Sequence, residues 1–253
     1  MNSVAPSARL VELLRGDGAV LVLTGAGVSK ESGLATFRDA GGLWEGVDPM
    51  SLATPGAFAE DPERVWRFYD ARRAQAAAAQ PNPAHRAIAA LEATGRPFLL
   101  ASQNVDGLHE RAGSRALVLL HGSLWRLRCT REGVEHDDLR PSITPLPPRC
   151  GSCGAILRPG VVWFEEPLPM IEFGRAQRAA SSAELVLVTG TSALVYPAAS
   201  LPQTARSAGA YVVEINPERT PFSDQASEVL TGAAGVVLPS LLEAAGIPMD
   251  RAA

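Results

Sequence analysis

The chain has 253 residues, 46% of them apolar and 20% charged, with a formal net charge of −4 at pH 7. That length and balance exclude a disordered polypeptide and provide for a sizeable core without staples. The acidic charge gives no electrostatic footprint for direct nucleic-acid binding, no apolar stretch reaches the roughly 18 residues of a membrane span, and three cysteines make no disulfide framework, so a reducing, cytoplasmic setting is expected.

In chain order, the first 18 residues read as a short polar lead into a helix, lacking the basic start and cleavage site of a signal peptide. Val20–Leu23 is an apolar run of strand length that stops at Thr24 and turns into Gly25-Ala26-Gly27. A polar segment able to open a helix follows, then Gly33, Phe37 and Arg38. A buried strand feeding a glycine turn and a helix start is how α/β proteins hold phosphates, because glycine permits close approach and the helix N-terminus attracts anions. The spacing GxGxxxxxG departs from the GxGxxG of ordinary dehydrogenases, which weighs against that class. Taken alone, the turn fits a plain strand-to-helix connection equally well.

Residues 39–81 break the alternation as an insertion, within which Asp61-Pro62 is a helix start, an N-cap followed by proline in the first turn. Along this helix Val65, Phe68, Tyr69 and Arg72 follow i, i+3, i+4, i+7. An apolar stripe that ends in a guanidinium either lets it snorkel outward or brings it to an anion. A helix over Asn82–Thr94 leads to a strand at Phe98–Ala101 and the turn Ser102-Gln103-Asn104-Val105-Asp106. Leu117–Leu120 leads to His121-Gly122. A second interruption, 124–163, carries Cys129 and Cys150-Gly151-Ser152-Cys153 around a Pro-rich polar stretch. A helix at Glu172–Ser181, a strand at Leu185–Val188 ending in Gly190-Thr191-Ser192, a helix at Pro197–Ala208 and a strand at Tyr211–Ile215 ending in Asn216-Pro217-Glu218 complete the pattern. Short apolar strands alternating with helices predict a Rossmann-like α/β fold with a parallel sheet and ligands outside the carboxyl ends of its strands.

Assembled, these residues resemble the sirtuins, NAD-dependent protein deacylases, over about residues 10 to 245. The motifs are GAGVSKESGLATFR at 25–38, SQNVDGLH at 102–109, HGS at 121–123, GVVWFEE at 160–166, GTS at 190–192 and INPE at 215–218. The resemblance is strongest to the class III branch, which removes succinyl, malonyl and glutaryl groups from lysine. It implies a Rossmann-like NAD-binding domain formed by 1–38, 82–123 and 164–253, bearing a small helical and zinc-ribbon module formed by 39–81 and 124–163.

The implied reaction places NAD with its nicotinamide end in a closed pocket, where the acyl-lysine carbonyl oxygen attacks the ribose carbon as nicotinamide leaves. The products are O-acyl-ADP-ribose and free lysine. By resemblance, Gly25, Ala26 and Gly27 cradle the diphosphate with Arg38 nearby, and Phe37 covers the reacting ribose face. Gln103, Asn104 and Asp106 orient the ribose and nicotinamide amide. Gly190, Thr191 and Ser192 hold phosphate and ribose, Asn216 and Glu218 the adenine ribose, and Ala234 abuts the adenine. His121 is the expected general base, an imidazole whose ordinary pKa of ~6.5 suits proton transfer at neutral pH. Outside this context it reads as a strand-end histidine bonded to backbone. Val162, Trp163 and Phe164 are expected to offer an edge to the substrate peptide, as an added strand or a core strand with alternating faces. Tyr69 and Arg72 match the YxxR pair that meets the distal carboxylate of succinyl- or malonyl-lysine. Acyl-lysine proteins or peptides are thus the expected partners.

The pattern is incomplete at the metal. The family has two CxxC pairs, whereas here Cys129-Thr130-Arg131-Glu132 carries glutamate at the second cysteine position. Cys129, Cys150 and Cys153 remain, with Glu132 or His136 available to complete a zinc site; the alternative is a ribbon held by packing without metal. Lys30, Ala35 and Glu165 are smaller departures that remove no reacting group. ADP-ribosyl transfer to a protein, or an NAD-sensing zinc-ribbon module without catalysis, would use the same pocket.

Overall fold

A computed structural model of the chain describes residues 5–36 and 48–249. Phe37 and Arg38 lie outside the described residues, so their expected roles carry no structural account. The main sheet has six parallel strands: β1 (Val20–Thr24), β2 (Phe98–Ser102), β3 (Leu117–Leu119), β7 (Leu185–Thr189), β8 (Tyr211–Asn216) and β9 (Glu228–Thr231). Their order is β3-β2-β1-β7-β8-β9. β1 and β7 are buried throughout, as expected of continuous apolar runs covered on both faces.

Successive side chains point to opposite faces. Val20 and Val22 therefore join one core layer with α1 (Ala8–Arg15), α4 (Pro83–Glu92) and α8 (Ala234–Ala245). Leu21 and Leu23 join the other with α6 (Met170–Ser182) and α7 (Leu201–Ser207). The chain builds outward from β1 through β2 and β3 on one side and through β7, β8 and β9 on the other. The order reverses between β1 and β7, and such a switch point opens a crevice at the carboxyl ends of the strands.

The remaining elements form a second unit. β4 (Gly122–Cys129), β5 (Glu135–Asp137) and β6 (Leu157–Val161) make an antiparallel sheet in the order β5-β4-β6. Against it pack α2 (Pro55–Glu60) and α3 (Pro62–Ala78), around Phe58, Val65, Trp66, Leu124, Leu127, Leu157 and Trp163. A short α5 (Leu108–Arg111) follows the loop after β2.

Several elements differ from the sequence expectation. The segment after β1 is a 3₁₀ turn over Ala26–Ser32, closed by Gly33 at φ 84°, rather than the start of an α-helix. α7 is shorter than Pro197–Ala208 because Ala198–Ser200 also winds as 3₁₀. β9 was not foreseen: its four residues are a half-buried edge strand without a periodic apolar signal. On α3 the buried residues are Val65, Trp66, Tyr69, Arg73 and Ala76, so the arginine enclosed on the stripe is Arg73, and Arg72 lies at its flank.

Candidate active site

The site begins where the strands end. The Gly25 N–H donates to the Thr189 carbonyl at 3.1 Å, the Gly27 N–H to that of Gly190 at 2.8 Å, and the Gly190 N–H to that of Ile215 at 3.0 Å. A Cβ on Gly27 would stand 2.8 Å from the Gly190 oxygen, and one on Gly190 would strike the Val28 nitrogen. These glycines thus let the turns after β1 and β7 lie against each other. Gly25, Gly27 and Val28 spend their N–H groups within the fold, and only the Ala26 N–H has no acceptor among the described residues.

The polar side chains at these ends are linked across the sheet. Gln103 Nε2 donates to Thr191 Oγ1 at 3.0 Å, and Asn216 Nδ2 to the Thr191 carbonyl at 3.0 Å. Ser192 is half-buried beside them, whereas Glu218 is exposed past the end of β8 and Ala234 is buried at the start of α8. Asn82 ties α4 to the glycine segment: its Oδ1 caps the helix at the Ala84 N–H, and its Nδ2 donates to the Val28 carbonyl at 2.7 Å.

Behind Gln103 lies a buried relay. Asp106 accepts Ser29 Oγ–H at 2.7 Å and the Leu108 N–H at 2.9 Å; Asn104 Nδ2 donates to Ser29 Oγ at 3.3 Å. Ser102 Oγ accepts the Asn104 N–H at 3.1 Å and the Thr24 hydroxyl at 3.0 Å. Trp125 Nε1 donates to the Asp106 carbonyl at 2.7 Å. Burial pushes the Asp106 carboxyl above its ordinary pKa, while these donors and the charge of Arg72 pull the other way. Thr24, Ser29, Ser102 and Trp125 went unassigned in the sequence. Ser29 lies inside the first motif, and that position was the one signal for it.

His121 stands between β3 and β4 with Nδ1 at 3.0 Å from the Gln103 carbonyl. A carbonyl only accepts, so Nδ1 carries the proton and Nε2 keeps its lone pair. Burial lowers the imidazole pKa, against a smaller opposing effect of that hydrogen bond. The ring is neutral at pH 7 and available as a base.

The segment 162–164 runs beside His121. The Val162 N–H donates to the His121 carbonyl, that of Trp163 to Glu166, and that of Phe164 to the Ala53 carbonyl, each at 2.9 Å. All three N–H groups are therefore engaged inside the protein, as is the Trp163 carbonyl, which accepts the Glu166 N–H at 3.2 Å, while the Phe164 ring is exposed. The Trp163 side chain is core: its ring lies 3.6 Å from the Arg158 guanidinium and 5.1 Å from Phe58. Its Nε1 donates to the Tyr69 hydroxyl at 3.0 Å. Glu165, at φ 72°, and Ala193, at φ 53°, hold left-handed backbone in the loops around the site. Non-glycine residues keep such geometry where surrounding structure enforces it.

Tyr69 is buried, and its pKa is pushed up to about 12, chiefly by burial. Half-buried Arg72 interacts electrostatically with both Tyr69 and Asp106, which offsets part of its own desolvation. Arg73 is committed elsewhere. It donates to Asp138 Oδ1 at 2.7 Å and to the carbonyls of Leu124, Asp138 and Arg140, with Trp125 5.2 Å from its guanidinium. The donor atoms of Cys129, Glu132, Cys150 and Cys153 lie within 4.8 Å of one another, a set that fits a structural zinc ion. His136 is outside this group, on β5 opposite Leu127.

A doubly wound parallel sheet with amide, carboxyl and imidazole groups gathered past the carboxyl ends of its strands is the arrangement of α/β nucleotide-binding proteins. The sequence matches the Sir2 family over residues 25–197. It is 50% identical to NAD-dependent protein deacylase 2 of Pyrobaculum aerophilum, over 92% of this chain and 94% of that one. It is likewise 50% identical to NAD-dependent protein deacylase 1 of Pseudomonas aeruginosa, over 93% and 98%. A Sir2 homologue solved in complex with NAD superposes with a TM-score of 0.92 at 44% identity, covering 99% of this chain and 98% of the other. A Sir2 enzyme solved with NAD and a p53 peptide gives 0.82 at 30% identity, covering 95% and 99%. The chain belongs to the Sir2 family. NAD is the cofactor of that family, and NAD-dependent protein deacylation is the activity its relatives carry in their names.

Proposed function

We propose that the protein is an NAD-dependent lysine deacylase that accepts acidic acyl groups, succinyl and malonyl, as well as acetyl. NAD, when bound, supplies a ribose carbon that loses nicotinamide and receives the acyl oxygen of the substrate. Everything else falls to the protein. Gly25, Ala26 and Gly27 would hold the diphosphate, and Arg38 would supply a neutralising cation. Gln103, Asn104 and Asp106 orient the inner ribose and the carboxamide, and Phe37 shields the reacting face. Thr191, Ser192, Asn216 and Glu218 hold the adenosine side, against Gly190 and Ala234.

The His121 tautomer is the observation that carries the catalytic part. With Nδ1 held on the Gln103 carbonyl, Nε2 keeps the lone pair that would take a ribose hydroxyl proton. Phe164 and the carbonyls of Val162 and Phe164 receive the acyl-lysine peptide of a protein substrate, with the Trp163 side chain fixing the edge from within the core. For the acyl tail, Tyr69 and Arg72 combine a hydroxyl whose oxygen already accepts from Trp163, leaving its proton to donate, with a partly desolvated guanidinium. Both favour a carboxylate.

Matched acetyl-lysine and succinyl-lysine peptides, with products identified by mass spectrometry, test this reading. The expected products are nicotinamide, O-acyl-ADP-ribose and free lysine; an ADP-ribosylated acceptor would contradict it. Arg72→Met is expected to cut kcat/KM for the succinyl peptide by about 30-fold or more, equivalent to ~2–5 kcal/mol, while deacetylation stays within a few-fold. Equal loss of both activities would make Arg72 structural.

A further inference from the structure

Two turns lie side by side at one end of the small sheet, and they are near-repeats. Cys129-Thr130-Arg131-Glu132-Gly133 and Cys150-Gly151-Ser152-Cys153-Gly154 each close with the glycine N–H donating to the first cysteine's carbonyl at 2.9 Å. Both glycines are left-handed, Gly133 at φ 70° and Gly154 at φ 72°. Superimposing the pattern places Glu132 where the second turn has Cys153. The Glu132 N–H also points at Cys129 Sγ, 3.4 Å away, the kind of donor that stabilises a thiolate ligand.

The spacing suits a metal. Ligands at Zn–S ≈ 2.3 Å and Zn–O ≈ 2.0–2.2 Å stand roughly 3.5–3.8 Å apart on a tetrahedron. Cys129 and Cys153 Sγ are already 3.5 Å apart, and all four donor atoms fall within 4.8 Å. Three thiolates and one carboxylate leave a zinc-type dication with a net charge of about −2. Arginines stand beside it: Arg131 donates to the Cys153 carbonyl and Arg149 to the Gly154 carbonyl, both at 3.1 Å.

The four ligands are not equivalent toward solvent. Cys129 is buried, Cys150 and Cys153 are half-buried, and Glu132 is exposed. The hardest and weakest donor for a soft-ligand site therefore lies on the side from which water and chelators arrive. We infer that Glu132 is the fourth ligand of a three-thiolate, one-carboxylate site for a zinc-type divalent ion, and that this carboxylate is the gate through which the ion exchanges. The site lies at the opposite end of β4 from His121, structural in position but labile.

Metal content and exchange test this without reference to catalysis. Protein purified without chelator is expected to carry about one zinc per chain, and its cobalt(II) form to show tetrahedral d–d bands with thiolate charge transfer. Glu132→Cys adds a fourth thiolate. It is expected to raise the charge-transfer intensity by about a third and slow zinc loss to a colorimetric chelator about tenfold or more. Glu132→Ala is expected to speed that loss by a similar factor, while its deacylase activity in excess zinc reports that the fold is intact. Wild-type protein free of metal, or zinc release at the wild-type rate from both variants, would overturn the inference. Neither outcome touches the deacylase reading, which is decided by peptide turnover.

Discussion

At the scale of single residues, the chemistry depends on which atom of each polar group the fold leaves for a ligand. His121 gives Nδ1 to a carbonyl and keeps Nε2, so its proton-accepting face is set by the backbone of Gln103. His121→Tyr is expected to keep the far-ultraviolet circular dichroism and melting temperature of the parent while reducing turnover by at least ~10²–10⁴. A buried pair of imidazoles behaves differently. His85 and His109 are buried with ring centroids 4.8 Å apart, and His85 Nε2 and His109 Nδ1 have no hydrogen-bond partner among the described residues. Burial lowers the His85 pKa to about 4 and that of His109 well below its ordinary value. Both must gain a proton on unfolding in acid, so their contribution to stability is complete above pH ~6.5 and is lost as pH falls from there toward the folded value. Denaturant melts between pH 7 and 4.5 are expected to show a slope of up to about 1.4 kcal/mol per pH unit from His85, which His85→Phe removes. An unchanged slope in the variant would assign the acid sensitivity elsewhere.

At the scale of elements, α3 matters most, because it carries Tyr69 and Arg72 and is pinned to the small sheet by Trp66 and Arg73 on the same buried face as Tyr69. Trp66 Nε1 donates to the Leu157 carbonyl at 2.7 Å, and Arg73 gathers the carbonyls of 124, 138 and 140 together with Asp138. Breaking one partner of a buried ion pair leaves the other uncompensated, which costs about 3–5 kcal/mol. Arg73→Met is expected to lower stability by that order and to speed amide hydrogen exchange over 122–140, ahead of the main sheet. Exchange rising equally in β1 and β7 would mean that the two units melt as one. The arginine pair also shows where sequence reading runs out. Positions i+7 and i+8 both lie near an apolar stripe of a helix, and only packing decides that Arg73 goes in and Arg72 stays at the flank. The hydroxyl relay through Thr24, Ser29 and Ser102 was hidden for a similar reason: small polar residues in turns leave no periodic signal. The edge strand β9 was missed because it is short and half-exposed. By contrast β1, β2, β7 and β8 were legible from continuous apolar runs ending in polar turns, and the odd Glu132 from its offset of three from Cys129.

At the scale of the whole molecule, the parallel sheet turns a chain-order fact into a functional one. Motifs from residues 25, 103, 121, 190 and 216 are far apart in sequence, yet each follows a strand whose carboxyl end faces the same crevice. The small sheet hangs from this arrangement through His121, whose carbonyl accepts the Val162 N–H. His121 and the segment 162–164 therefore share one backbone junction. No helix among the described residues is long and apolar enough to cross a membrane.

A crystal structure of the protein with NAD and an acyl-lysine peptide measures the central relation directly, as the distance from His121 Nε2 to the nearest hydroxyl of the nicotinamide-side ribose. Hydrogen-bond range, ~2.6–3.2 Å, is expected, either direct or through one water. NAD absent from the crevice between β1 and β7, or an imidazole turned away from that ribose, would contradict the account.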